Sequence, residues 1–132
     1  MNRMYLVVIL IAVVLVAWAM KGKLGVDAFK TVGVDEFETL IADADSVIVL
    51  DVRTPLEYNE AHIPHAINID VKEKTFKTKA LELLPKDKTI AVYCRSGRRS
   101  ADAAGILAGE GYQMVNLDGG ILAWLKAQKP IE

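Results

Sequence analysis

Residues 89–108 read TIAVYCRSGRRSADAAGILA: an apolar segment, a short polar loop and a helix-like segment. The apolar segment, residues 89–93, is typical of a strand buried on both faces of a parallel sheet. The loop that follows begins with Cys94, the only cysteine in the sequence. Backbone N–H groups of such a loop and of the first helical turn converge on one point, where the helix dipole adds positive charge. The sequence therefore predicts a strand–loop–helix unit with a thiol at its centre.

The residues around Cys94 indicate a reactive thiol. The thiolate is the nucleophilic form of cysteine, and nearby cations and a helix N-terminus lower the thiol pKa. Three arginines lie within five positions of the cysteine: Arg95, Arg98 and Arg99. Gly97 allows the backbone to approach a ligand closely. A cysteine that only fills space at a strand end needs none of these neighbours, so Cys94 is predicted to be a nucleophile.

The length of the loop narrows the chemistry. Cysteine phosphatases use an arginine at the sixth position after the nucleophile to grip phosphate oxygens, and here that position is Ser100. The loop is one residue too short to wrap a phosphate and suits a terminal sulfur carried on the cysteine as a persulfide. A phosphatase or arsenate reductase is an alternative that this loop length disfavours.

Three further motifs accompany the loop. Asp51-Val52-Arg53 is followed by Glu57-Tyr58, residues 61–69 read AHIPHAINI, and Asp118-Gly119-Gly120-Ile121 is followed by Trp124. Together with the cysteine loop, and in this order, they resemble the rhodanese (thiosulfate sulfurtransferase) family from about residue 32 to residue 131. Ala61 and His65 depart from the pattern, because the family often has glycine at both positions.

The resemblance implies a sulfurtransferase in which Cys94 is catalytic and carries a persulfide. It implies a small anionic donor such as thiosulfate and a thiol or cyanide acceptor, which includes protein thiols, with no metal or organic cofactor. The alternative is a sulfur carrier without turnover, or a redox-sensing or partner domain that uses the same cysteine. Six loop residues are predicted to bind the substrate: Arg95, Ser96, Gly97, Arg98, Arg99 and Ser100.

Residues outside the loop have predicted supporting roles. Asp51 and Arg53, at a strand end, are predicted to hold the neighbouring loops, the latter through a pair with Glu57. His62 and His65 leave a cysteine–histidine dyad open as an alternative, in which imidazole would deprotonate the thiol. The hydroxyls of Ser96 and Ser100 are candidate donors to sulfur, and Ser100 is equally a candidate helix cap.

The alternation of apolar strands and amphipathic helices predicts an α/β fold, with a mostly parallel central sheet flanked by helices on both faces. Within the helix after Cys94, four small residues are predicted to allow close approach to the sheet: Ala101, Ala104, Gly105 and Ala108. Asp51 and Cys94 both follow strands, and ligands of such sheets bind beyond the carboxyl ends of the strands. The predicted strands are residues 47–50, 66–69, 89–93 and 114–117, and the predicted helices are residues 35–42, 55–58, 80–84, 98–108 and 121–128.

The composition excludes several classes. The formal net charge is −1, and no basic stripe with interleaved aromatics is present, which argues against a nucleic-acid-binding module. One cysteine excludes an internal disulfide framework. Cys94, His62 and His65 are too few soft ligands for a structural zinc site. A monomer with one compact domain is expected.

The N-terminal segment is of a different kind. Residues 5–20 form sixteen uncharged, mostly apolar residues between Arg3 and Lys21. This pattern predicts an apolar N-terminal helix that targets a membrane, as an anchor or as a signal peptide. The expected organisation is residues 1–23 as anchor or signal peptide, 24–31 as linker and 32–132 as the rhodanese-like domain. Lys21 and Lys23 after the segment favour a cytoplasmic domain by the positive-inside rule. A short apolar run after a basic start favours export instead, so the domain, tethered or released, is expected on the periplasmic side of a bacterial inner membrane.

Overall fold

The computed structural model describes the backbone of residues 2–26 and 28–132, and the side chains of residues 2–16 and 28–132. Helices and strands alternate along most of this length. The strands are β1 (Lys30–Val32), β2 (Val47–Asp51), β3 (Ile67–Asn68), β4 (Thr89–Tyr93) and β5 (Gln113–Leu117). The helices are α1 (Arg3–Val26), α2 (Val34–Ile41), α3 (Pro55–Glu60), α4 (Phe76–Leu83), α5 (Arg98–Gly109) and α6 (Gly120–Lys126).

The strands form one five-stranded sheet in the order β1-β5-β4-β2-β3. Every pairing is parallel, so all carboxyl ends lie at the same edge. β4 is the central strand, and Cys94 directly follows it. The predicted α/β architecture is confirmed, and the candidate nucleophile lies in the middle of the edge where such sheets bind ligands.

Hydrophobic cores cover both faces of the sheet. Along β4, Ile90 and Val92 pack into the core that α4 and α5 complete, whereas Ala91 and Tyr93 pack into the core of α2 and α6. This alternation is what a strand with two buried faces produces. In the second core, Phe37 and Trp124 meet edge to face, with ring centroids 6.1 Å apart.

Several sequence-based boundaries were wrong. The segment predicted as a linker, residues 24–31, contains the end of α1 and the start of β1. β1 has only three residues, which are too few to show an alternating pattern in the sequence. It pairs with β5 alone. The helix predicted at residues 80–84 begins at Phe76. Gly105 is exposed and has open space around its Cα, because α5 buries Ala103, Ala104 and Leu107 instead.

The N-terminal helix α1 spans Arg3–Val26. Its apolar side chains from Met4 to Leu10 are exposed, and so are those from Val13 to Val16. Among the residues whose side chains the structure describes, 2–16 and 28–132, no helix is long and apolar enough to cross a membrane. Part of the predicted membrane segment, the side chains of residues 17–20, lies outside the described residues.

Ala61 and His65, the two positions that depart from the family pattern that the sequence resembles, differ in backbone conformation. His65 has a φ of +68°, in the left-handed region that disfavours side chains. Ala61 has a φ of −169°, which is ordinary extended backbone. Of these two positions, only His65 is therefore expected to have a strained backbone.

His65→Gly is expected to stabilise the domain by roughly 0.5 kcal/mol, since relief of backbone strain exceeds the entropy lost with a glycine. Ala61→Gly is the matched control and should destabilise by about 0.5–1 kcal/mol, because it adds only unfolded-state entropy. Urea unfolding of both variants measures the two effects. A shift in the same direction for both would contradict the assignment of strain to His65.

Candidate active site

The loop after β4 wraps around the Cys94 sulfur. The Cys94 side chain is 1% exposed. Gly97, with a φ of +102°, turns the chain into α5. Its N–H donates a hydrogen bond to Sγ at 3.1 Å, and the Ser100 hydroxyl donates another at 3.3 Å. The structure thus places Ser100 against the sulfur, whereas Ser96 is exposed.

These donors change the acidity of the thiol. Burial raises the pKa of Cys94, but hydrogen bonds from the Ser100 hydroxyl and from the N–H groups of Ser100, Gly97 and Ser96 outweigh it. The net result is a pKa below the ordinary value for cysteine. A cluster of donors at a helix N-terminus stabilises negative charge on sulfur, so the site favours the thiolate.

The loop rests on the first turn of α6. Gly119 and Gly120 both have positive φ, +74° and +60°, and bring the start of the helix directly beneath the loop. The N–H of Ile121 donates to the carbonyl oxygen of Cys94 at 2.9 Å, and that of Leu122 to the carbonyl oxygen of Arg95 at 3.1 Å. The Asp118-Gly119-Gly120 motif therefore forms a platform beneath the cysteine loop: it places the first turn of α6 where its N–H groups hold the backbone of Cys94 and Arg95.

A buried ionic cluster lies below the loop, between β2 and β4. The guanidinium of Arg53 contacts Asp51 with Nη2–Oδ2 at 2.7 Å, and its Nη2 also donates to the Ala61 carbonyl oxygen at 2.7 Å. The Tyr93 hydroxyl donates to Asp51 at 2.6 Å and accepts from the Ile63 N–H at 3.0 Å. Burial, together with the Asp51 carboxylate, raises the pKa of Tyr93 well above its ordinary value. Asp51 and Arg53 thus join the two strands to residues 61–63.

The sequence alone does not reveal the role of the Tyr93 hydroxyl. The ring is indeed buried, while its oxygen bonds to Asp51, which lies 42 residues away in the chain. A tyrosine at the end of a strand next to a buried acidic strand end was the available signal.

The predicted Arg53–Glu57 pair was wrong, because Arg53 is already held by Asp51. Glu57 instead binds Arg99 in a two-pronged ion pair, at 2.8 and 3.0 Å, and also completes a capping box with Thr54 at the start of α3. Of the three loop arginines, Arg99 is half-buried and paired, whereas Arg95 and Arg98 are exposed.

Glu57→Gln is expected to destabilise the domain by about 2 kcal/mol at neutral pH. The Arg99 side chain holds the pKa of Glu57 at about 2, below the ordinary 4.5. A lowered folded-state pKa means that the stabilisation is complete above about pH 4.5 and is lost as the pH falls through about 2. Unfolding in urea at several pH values should show the two proteins converge in that window. Glu60→Gln, on the same helix, is the control, and a constant difference down to pH 2 would contradict the prediction.

The structure does not form the cysteine–histidine dyad. His62 stacks on Tyr58, with ring centroids 3.9 Å apart, and its Nδ1 lies 3.0 Å from the Tyr58 carbonyl oxygen. His65 is exposed at its strained turn. Among the described residues, the hydrogen bonds to Sγ come from the cysteine loop and the start of α5, and neither histidine contributes one. Both histidines therefore have structural surroundings away from the sulfur.

Comparison with known proteins agrees with the motifs. The family model described as rhodanese-like domain matches residues 33–127. A sulfurtransferase of Allochromatium vinosum is 37% identical over 91 residues, 68% of this chain and 82% of that protein. The thiosulfate sulfurtransferase PspE of Escherichia coli is 41% identical over 73 residues, 54% of this chain and 68% of that protein.

Solved structures give the same result. The crystal structure of a rhodanese-related protein from Thermoplasma volcanium superposes with a TM-score of 0.67 at 31% identity. The match covers 79% of this chain and 98% of that chain. The predicted family resemblance is confirmed, and the chain belongs to the family of rhodanese-like domains.

Proposed function

We propose that this protein is a sulfurtransferase that moves sulfane sulfur from a small anionic donor such as thiosulfate to a thiol or cyanide, through a persulfide on Cys94. The observation that carries the proposal is the sulfur cradle, in which Gly97 and Ser100 donate hydrogen bonds to Sγ at the start of α5. The names of relatives in Allochromatium vinosum and Escherichia coli support the same reaction class.

In the first half-reaction, the Cys94 thiolate attacks the outer sulfur of thiosulfate. A bond forms between Sγ and that sulfur, the sulfur–sulfur bond of thiosulfate breaks, and sulfite leaves with the electron pair. The product is a persulfide anion on the enzyme, so charge and electrons balance without an external oxidant. The N–H groups of residues 95–100 stabilise the terminal sulfur, as backbone donors at a helix N-terminus stabilise other anions.

In the second half-reaction, a thiolate or cyanide attacks the outer sulfur of the persulfide. The bond between Sγ and the outer sulfur breaks, and the Cys94 thiolate leaves with the electron pair. The product is a persulfide of the acceptor or thiocyanate. The lowered pKa of Cys94 makes its thiolate a good leaving group in this step and increases the thiolate fraction available for the first step.

The arginines of the loop have different proposed roles. Arg95 and Arg98 are exposed and attract the anionic donor. Arg99 is bound to Glu57 and holds the start of α5 against α3. Two exposed cations, Arg95 and Arg98, are thus available to a donor, and the third, Arg99, is held by its ion pair.

Intact-mass analysis after incubation with thiosulfate tests the proposal. The full chain should gain the mass of one sulfur atom, and Cys94→Ala should gain none. Addition of cyanide should remove the sulfur and release thiocyanate. An unchanged mass would overturn the proposal, and loading without repeated turnover would favour a sulfur carrier or a redox-sensing domain instead.

We further propose that residues 5–20 attach the protein to a membrane, with the domain on the periplasmic side. The uncharged sequence and the exposed apolar side chains from Tyr5 to Val16 support the attachment, and the short apolar run after a basic start supports the periplasmic side. A chain that starts at Lys21 should be soluble, monomeric and fully active, because the proposed site lies beyond residue 50. Membrane fractionation tests the attachment, and the N-terminus of the cellular protein distinguishes an anchor from a cleaved signal. Loss of folding in the shorter chain would contradict the proposal.

A further inference from the structure

A cleft of about 220 Å³ lies between α3 and α6, beside the cysteine loop. Arg95 and Glu60 line it, together with Leu122 and Leu125. The two leucines are 43% and 42% exposed and present their apolar side chains to the cleft. The cleft therefore offers an apolar wall and charged groups of both signs.

The cleft and the cysteine loop have residues in common. Leu122 lines the cleft, and its N–H holds the carbonyl oxygen of Arg95 at 3.1 Å. Arg95 in turn directly follows Cys94 and lines the cleft with its own side chain. A ligand bound here lies next to the loop that carries the sulfur.

Only some of the charged side chains that line the cleft are free to bind a ligand. Arg53 and Glu57 also line it, but the former is bound to Asp51 and the latter to Arg99. Within residues 28–132, Arg95 and Glu60 make no side-chain ion pair in the structure. The free charges that face a ligand are therefore one guanidinium and one carboxylate.

We propose that this cleft binds the sulfur acceptor, and that the acceptor is a small thiol that carries a carboxylate. The proposal rests on the proposed sulfurtransferase function. The carboxylate pairs with Arg95, and the carbon chain lies against Leu122 and Leu125. Thiosulfate is ionic throughout and gains nothing from an apolar wall, whereas a thiol with a carbon chain does.

The bound thiol completes the second half-reaction. Its thiolate forms a bond to the outer sulfur of the persulfide, and the bond between that sulfur and Sγ breaks with return of the electron pair to Cys94. The thiol proton passes to solvent or to the new acceptor persulfide. Glu60, at the other side of the cleft, disfavours a second carboxylate on the acceptor and favours an ammonium there.

Sulfur removal from the preloaded protein isolates this step from the donor reaction. The full chain is loaded with thiosulfate and desalted, and the rate constant of sulfur removal is measured with 3-mercaptopropionate and with 2-mercaptoethanol. Arg95→Gln should lower the ratio of these rate constants, carboxylate thiol over neutral thiol, by about fivefold, the value of a ~1 kcal/mol exposed ion pair. Arg98→Gln removes the same charge from the same loop, but its side chain does not line the cleft, so it should lower the ratio by less than about twofold.

The outcomes separate the two proposals. An equal fall of the ratio in both variants would mean a general electrostatic effect and would overturn the cleft as the acceptor site. An unchanged ratio in Arg95→Gln, in a protein that loads and releases sulfur normally, would overturn it as well and leave the sulfurtransferase function intact. Failure of the unmodified protein to load would overturn both. Leu125→Asp provides a second variant, which should slow removal by 3-mercaptopropionate about fivefold more than removal by cyanide.

Discussion

Cys94→Ser is expected to abolish sulfur transfer, with turnover reduced roughly 10⁴-fold or more. Serine keeps the shape of the site, but its hydroxyl is not ionised at neutral pH and forms no persulfide. The fold should be unaffected within about 1 kcal/mol, because the serine oxygen can accept the same hydrogen bonds from Gly97 and Ser100. Thiosulfate-dependent turnover and urea unfolding measure the two quantities. Residual turnover above a few per cent would mean that another group carries the sulfur.

Ser100→Ala should have a smaller effect than Cys94→Ser, on the acidity of the thiol. It removes the hydroxyl that donates to Sγ at 3.3 Å and leaves the nucleophile in place. Because that hydrogen bond lowers the pKa of Cys94, its loss should raise the pKa and move the pH profile of iodoacetamide labelling to higher pH. A shifted profile with retained sulfur loading would show that the cradle tunes the thiol and that Cys94 alone bonds to sulfur.

The parts of the fold that sequence predicted are those encoded by local patterns. The strand before Cys94 is a continuous apolar run that forms two pairings, and its predicted bounds match β4 at both ends. Helix α5 begins at Arg98, as predicted from the loop chemistry, and ends one residue beyond the predicted bound. The local sequence pattern was sufficient to predict β4, the cysteine loop and α5, because these elements follow one another directly in the sequence.

The parts that sequence did not predict depend on contacts between distant residues. Glu57 and Arg99 are 42 positions apart, and nothing local distinguishes Arg99 from Arg98 or Arg95 as the partner. The three-residue strand β1 exists because β5 pairs with it, and its own composition does not require it. Likewise, α5 turns Gly105 to solvent because Ala103, Ala104 and Leu107 face the sheet, a rotation of the helix that its many small residues leave undetermined.

Gly120 is where the platform beneath the cysteine loop is most sensitive to substitution. Its φ of +60° disfavours any side chain. A Cβ at this position would also overlap the carbonyl groups of Cys94 and Arg95, which are backbone atoms and cannot rotate away. Both effects act at the junction that sets the position of the sulfur, so substitution here should damage stability and activity together.

Gly120→Ala is therefore expected to cost about 3 kcal/mol or more of stability, from left-handed backbone strain and steric overlap. The overlap should also displace the cysteine loop. A displacement of about 1 Å should lower turnover roughly 10²-fold, because catalysis depends on the position of the reacting atom. Gly105→Ala is the matched control: this glycine lies in α5 with open space around it, and alanine there should stabilise the helix by roughly 0.5–1 kcal/mol without change in turnover. Urea unfolding and thiosulfate turnover measured on both variants decide the matter. If Gly120→Ala retained both stability and turnover, the contact between α6 and the cysteine loop would not control the geometry of the site.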